Sequence, residues 1–104
     1  MRCMNMVHDN PAEHRFELAV DGSDDVAAAY YGIGRNHLIL THTIVPKRFS
    51  GRGIGSALAR GVFDELRASG RKAVLRCLFM AAYFARHPEY ADIVDDVNVT
   101  GETA

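Results

Sequence analysis

The chain has no apolar run close to the roughly 18 residues that span a bilayer, so no membrane-spanning helix is expected. An excess of one charge is also missing. Twelve Lys and Arg stand against 13 Asp and Glu, for a formal net charge of −1. That balance removes the overall basic footprint of a nucleic-acid binder and leaves only local clusters. Neither nucleic acid nor a membrane is expected as a partner. Cysteine is scarce. Cys3 and Cys77 are the two copies, too few for a disulfide framework, and there is no C-x-x-C pair. A reducing, cytoplasmic location follows as the expectation. Met1-Arg2-Cys3 leads into no apolar segment, so no secretory signal is expected. The five histidines show no H-E-x-x-H or related ligand spacing, and no metal is expected. Internal repeats and low-complexity stretches are absent.

What is present is an ordinary globular composition. Of 104 residues, 48% are hydrophobic and 24% charged. A chain of this size buries roughly 65% of its unfolded surface and can form one core without staples. One domain over residues 1–104 is expected, with 1–5 and 95–104 as loose termini. Asn10-Pro11 predicts a bend before the first strand, Arg15 to Val20. Asp21 to Asp25 is a turn signal, and Val26 to Ile33 reads as a second strand that three alanines weaken. Gly34-Arg35-Asn36 is a turn, and His37 to Val45 a third strand. Short turns predict an antiparallel meander. Ile54, Ala57, Leu58, Gly61, Val62 and Leu66 then recur at helical spacing, predicting a helix over Gly53–Ser69 with Gly70 beyond its end. Lys72 to Cys77 is a short strand, placed parallel to its predecessor by the crossover. Leu78 to Arg86 predicts a short helix stopped by His87-Pro88. A frayed acidic tail follows, in which Val97 and Val99 leave a weaker case for an edge strand. The fold class is α/β, or α+β by stricter counting: a mixed sheet with a glycine loop, one long helix, a parallel strand and a short C-terminal helix.

The most informative segment runs from Arg48 to Ser56, between a strand and the long helix. The first turn of a helix carries unpaired N–H groups and the positive end of the dipole. Gly51, Gly53 and Gly55 permit close backbone approach, and Arg48 and Arg52 add positive charge. The combination suits a phosphate or pyrophosphate. No Lys-Ser or Lys-Thr follows the glycines, so this is not a P-loop. The G-x-G-x-x-G spacing also fails. A glycine-rich turn that only enters a helix is the alternative reading.

Arg48-x-x-Gly51-x-Gly53 resembles the [Q/R]-x-x-G-x-[G/A] motif of the GNAT N-acetyltransferase superfamily. His42-Thr43-x-Val45-Pro46, Cys77 and Ala82-Tyr83-x-x-x-His87-Pro88-Glu89-Tyr90 extend the likeness to the small single-domain GNAT-like acetyltransferases, over residues 7–94. The resemblance implies acetyl-CoA as cosubstrate and an amine, small-molecule or protein, as acceptor. It implies that the loop carrying Gly51, Arg52, Gly53, Ile54, Gly55 and Ser56 holds the pyrophosphate beside Arg48. It further implies that Ile44 and Val45 offer backbone groups to the pantetheine arm, and that the last strand splays away to open a cleft. One departure stands out: the family often has Pro after the cysteine, where this chain has Leu78.

Three side chains are candidates for the chemistry. Cys77, between a strand and a helix N-terminus, could be a thiolate; a small buried hydrophobe is the alternative. The resemblance implies a catalytic cysteine here. His42 is a candidate base toward an amine or Cys77, or else a residue that fixes the strand end. By analogy with larger GNAT enzymes Tyr83 could protonate the departing thiolate; packing among Phe79 and Phe84 is the alternative. A non-catalytic CoA-binding or protein-interaction module remains the other class of function.

Overall fold

A computed structural model describes residues 7–19, 25–35, 37–47 and 53–98. Six strands form one mixed sheet in sequence order: β1 (Val7–Asn10), β2 (Arg15–Ala19), β3 (Val26–Ile33), β4 (His37–Ile44), β5 (Lys72–Leu75) and β6 (Val94–Val97). The first four pair antiparallel, and β4–β5 and β5–β6 pair parallel. Helix α1 (Ile54–Ala68) connects β4 to β5. Helix α2 (Leu78–Arg86) and a 3-10 helix over Pro88–Ile93 connect β5 to β6. The expected mixed α/β architecture is therefore present.

Two elements differ from expectation. Residues Val7–Asn10 are a strand, so the meander has four members, and Asn10-Pro11 opens the turn between the first two. Residues Asp95–Val97 are not loose: they belong to β6. Val94 packs partly against the core, and Asn98 donates its N–H to the Leu75 carbonyl at 2.8 Å. The sequence VDDV keeps its aspartates exposed, which suits an edge that must not recruit another strand. Cys3, Val99 and residues 100–104 lie outside the described residues.

Alternation along β2 and β3 builds the core. Phe16 and Leu18 pair with Ala29 and Ala27 on the same face, and all four are fully buried. The alanines that weaken β3 as a strand former leave room for α1, which packs on them with Leu58, Val62 and Phe63. Both helices lie on this face. Phe63 of α1 contacts Tyr83 of α2 at 5.7 Å between ring centroids and Tyr90 of the 3-10 helix at 5.0 Å. Two successive right-handed crossovers running the same way along the sheet require that common side. The opposite sheet face carries no described helix.

Two tyrosines add a pH signature. Tyr31 donates to Asp9 at 2.6 Å and Tyr90 donates to Asp64 at 2.9 Å. Burial first, then the bonded carboxylate, pushes both phenols up from 10.0 to about 12. A phenol raised above its unfolded value stabilises the fold fully below that value. Its contribution is lost as pH climbs from about 10 to about 12. Urea midpoints are expected to fall across this interval. The double variant Tyr31→Phe with Tyr90→Phe should flatten that fall. An unchanged alkaline slope in the variant would contradict the assignment.

Candidate active site

The site arises where two parallel strands part. β4 and β5 pair from His37↔Lys72 to Leu40↔Leu75, and Arg76 adds one more bond, N–H to the Leu40 carbonyl at 2.9 Å. β5 then ends, and Arg76-Cys77 turns into α2. Thr41–Ile44 of β4 continue, with His42–Ile44 paired to β3 on one side and no described strand on the other. The backbone groups along that free edge, half-buried at Thr43 and exposed at Thr41, His42 and Ile44, are open to an extended amide-bearing ligand. Ile44, half exposed, and Val45, packed partly on the core, lie on this edge and just beyond it.

A bulge decides which side chains face the cleft. Tyr30 pairs with His42 and Tyr31 with Leu40, so Thr41 has no partner in β3. Strict alternation after Leu38 and Leu40 would turn His42 toward the core. The extra residue instead turns Thr43 inward, opposite Ala29, and His42 outward. Thr43 Oγ1 lies 3.4 Å from Cys77 Sγ. His42 stacks on Tyr30 on the helix-free face, with ring centroids 4.7 Å apart. His42 and Cys77 are thus on opposite faces of the sheet and are not brought together. Tyr30 is itself held by Arg15, whose guanidinium donates to its hydroxyl at 2.7 Å and to Glu17 at 2.7 Å. Those bonds, from Arg15 and then from Asn10, hold the Glu17 carboxyl below the usual range.

Cys77 is the N-cap of α2 and is 5% exposed. Thr43 is its hydrogen-bonding neighbour, a residue that simple alternation conceals. Leu78, in the position where the family often has proline, is 61% exposed at the first turn of α2. Tyr83 sits six residues along α2 from Cys77, about 9 Å of helix rise. It is 4% exposed, flanked by Phe63 and stacked at 4.1 Å on His87. Burial raises its phenol pKa. Its ring neighbours are Phe63, His87 and Tyr90.

Helix α1 opens beside the cleft. Gly53 caps it at φ 72°, ψ 13°, a conformation costly for other residues, and its carbonyl accepts from Ala57 N–H at 3.0 Å. Among the described residues no side chain caps the helix, and its first turn holds no acid. No described side chain accepts from the early N–H groups. Gly55 is one point of contact with α2: a Cβ there would meet the Phe79 ring at 2.8 Å. Ser56 is exposed, whereas the Ile54 side chain is buried, leaving Ile54 only its backbone for a ligand. Arg48, Gly51 and Arg52 lie outside the described residues.

The acidic run near the C-terminus has structural partners. Arg67 binds Asp92 through two guanidinium nitrogens, and Asp95 lies 3.7 Å from His37. Among the described residues no group of three or more His, Cys, Asp or Glu could hold a metal ion. No described helix is long and apolar enough to cross a membrane.

A four-strand meander, a glycine-led helix and two parting parallel strands define the class. The chain belongs to the GCN5-related N-acetyl-transferase family, whose model matches residues 15–93. Protein NATD1 of Xenopus tropicalis is 33% identical over 82 residues, 78% of this chain and 74% of the relative. Protein NATD1 of Homo sapiens is 30% identical over 87 residues, 83% of this chain and 77% of the relative. An NMR solution structure of a GCN5-like protein from Staphylococcus aureus shares the fold at a TM-score of 0.64 and 20% identity. It covers 94% of this chain and 95% of its own. Family membership supports acetyl-CoA-dependent transfer as the general activity.

Proposed function

We propose that this protein transfers the acetyl group of acetyl-CoA to an amine. The observation that carries the reading is the parting of β4 and β5 directly beside the uncapped start of α1. The N–H groups of Gly55 and Ser56 suit a pyrophosphate, which needs donors and positive potential. The free edge of Thr41–Ile44 suits an amide-bearing arm, and fixes the thioester at the cleft. Acetyl-CoA supplies an activated acyl group. Backbone donors along this edge would polarise its carbonyl, and fixed orientation would supply much of the acceleration.

Direct attack by the amine is the favoured route. Cys77 is 5% exposed and its described side-chain hydrogen bond is to Thr43, which is no base. His42 lies on the helix-free side of the same β4 segment, where it could accept the proton of an amine approaching from that side. A covalent acetyl-Cys77 route is the second reading, favoured by the place of Cys77 at a helix N-terminus.

Calorimetry with acetyl-CoA and CoA tests the ligand, and turnover with a panel of amines tests the transfer. Cys77→Ala is expected to keep binding and to keep turnover within about tenfold. A complete loss of turnover with binding intact, together with a one-acetyl mass gain in the wild type, would replace direct attack by the covalent route. Binding with no transfer to amines, peptides or proteins would leave a CoA-binding module. No binding to either ligand would remove the reading.

A further inference from the structure

At the opposite end of the sheet lies a second concavity, of about 440 Å³. It falls within the roughly 300–1,000 Å³ usual for small-molecule sites. It lies at the start of β4, whereas the cleft lies at its end, about 20 Å away at the rise of a strand. No residue of α1 is part of its lining. Its apolar lining includes Ile33, which is 66% exposed, and Leu38.

Its charges are unevenly committed. Asp9 accepts from Tyr31 at 2.6 Å and pairs with Arg71 at 3.5 Å. Arg71 is further fixed by Nε donating to Ser69 at 2.9 Å, and its guanidinium lies 5.9 Å from the Phe16 ring centroid. Those two bonds use Nε and Nη1, leaving Nη2 without a described partner. Arg35 also lines the cavity and makes no ion pair among the described residues. Two guanidinium groups against one carboxylate leave the lining one positive charge in excess. That excess is placed beside apolar surface.

We propose that this cavity binds a small organic carboxylate with an apolar body. The carboxylate would bridge Arg35 and the open side of Arg71. The body would cover Ile33 and Leu38. A guanidinium presents paired donors that match a carboxylate. A neutral isostere would lack that pairing, and a cation would meet the excess positive charge. The site does not depend on the acyl-transfer reading, because it shares no residue with the cleft.

The test is two-dimensional amide NMR of the full chain, titrated with benzoate and octanoate, and with benzamide and benzylamine as matched controls. The carboxylates are expected to shift the amides of Gly34, Arg35, His37, Leu38 and Arg71, and the controls to leave them in place. Arg35→Gln, at an exposed position, should weaken carboxylate binding about tenfold, the loss expected for one charge-assisted contact. Arg71→Gln should do the same if its spectrum remains that of a folded chain. Absence of these shifts with both carboxylates overturns the proposal. So do equal shifts with benzamide, or carboxylate shifts confined to Gly53–Ala57 at the start of α1.

Discussion

Phe63→Ala is expected to destabilise the domain by about 3–5 kcal/mol, the cost of removing a fully buried aromatic ring. Phe63 is 0% exposed. Its ring contacts Tyr83 and Tyr90, so one side chain on α1 pins both α2 and the 3-10 helix to the core. Truncation removes the transfer energy of the ring and leaves a cavity between elements that must close as rigid bodies. Domains of this size are stable by only about 5–15 kcal/mol. The variant should sit at the edge of folding at 25 °C. Urea unfolding followed by circular dichroism measures it. Leu78→Ala is the control, because Leu78 is 61% exposed. It should change stability by no more than about 0.5 kcal/mol. A loss below about 1 kcal/mol for Phe63→Ala would mean that the three rings do not form one packed unit. The consequence reaches the cleft, because α2 carries Cys77 at its first cap.

The same elements explain what was legible in the sequence. The 3.6-residue period of Ile54, Leu58, Val62 and Leu66 marks α1 because all four are buried on one side. Gly53 and Ser69 are its caps, as the punctuation indicates. Short-range signals of this kind act within one turn and survive tertiary context. β1 and β6 were harder to read. Each has four residues, and each is held at a sheet edge by backbone pairing to its neighbour rather than by its own pattern. No local feature of VDDV separates an edge strand from a tail.

The cleft was legible in part. Cys77 and the start of α1 fall where the residue pattern placed them. The side of the sheet on which His42 lies did not follow from the pattern. A single unpaired residue, Thr41, reverses the facing of everything after it in β4. Nothing in Leu-Thr-His-Thr-Ile marks a bulge, since every residue suits either face of a strand. The bulge is fixed by β3 on one side and by the loss of β5 on the other. As a result Thr43 meets the thiol, and His42 meets Tyr30.

Ser56→Asp is expected to stabilise the fold and weaken acetyl-CoA binding. Ser56 is exposed in the first turn of α1, a turn with no acid and no side-chain cap. A carboxylate there interacts favourably with the helix dipole, by about 0.3–1 kcal/mol. If a pyrophosphate occupies the same N–H groups, the new charge opposes it. Two unit charges about 4 Å apart repel by about 1 kcal/mol in water and about 4 kcal/mol near a protein surface. Binding should weaken by at least about fivefold, and less so at high salt, where screening shortens the interaction. Calorimetry at two salt concentrations and a thermal melt measure the two effects on one sample. The opposite signs carry the argument, since a substitution that merely damaged the fold would lower both quantities. A raised melting temperature with unchanged acetyl-CoA affinity would make the glycine segment a helix entry and nothing more. The pyrophosphate would then have to be held elsewhere on the chain.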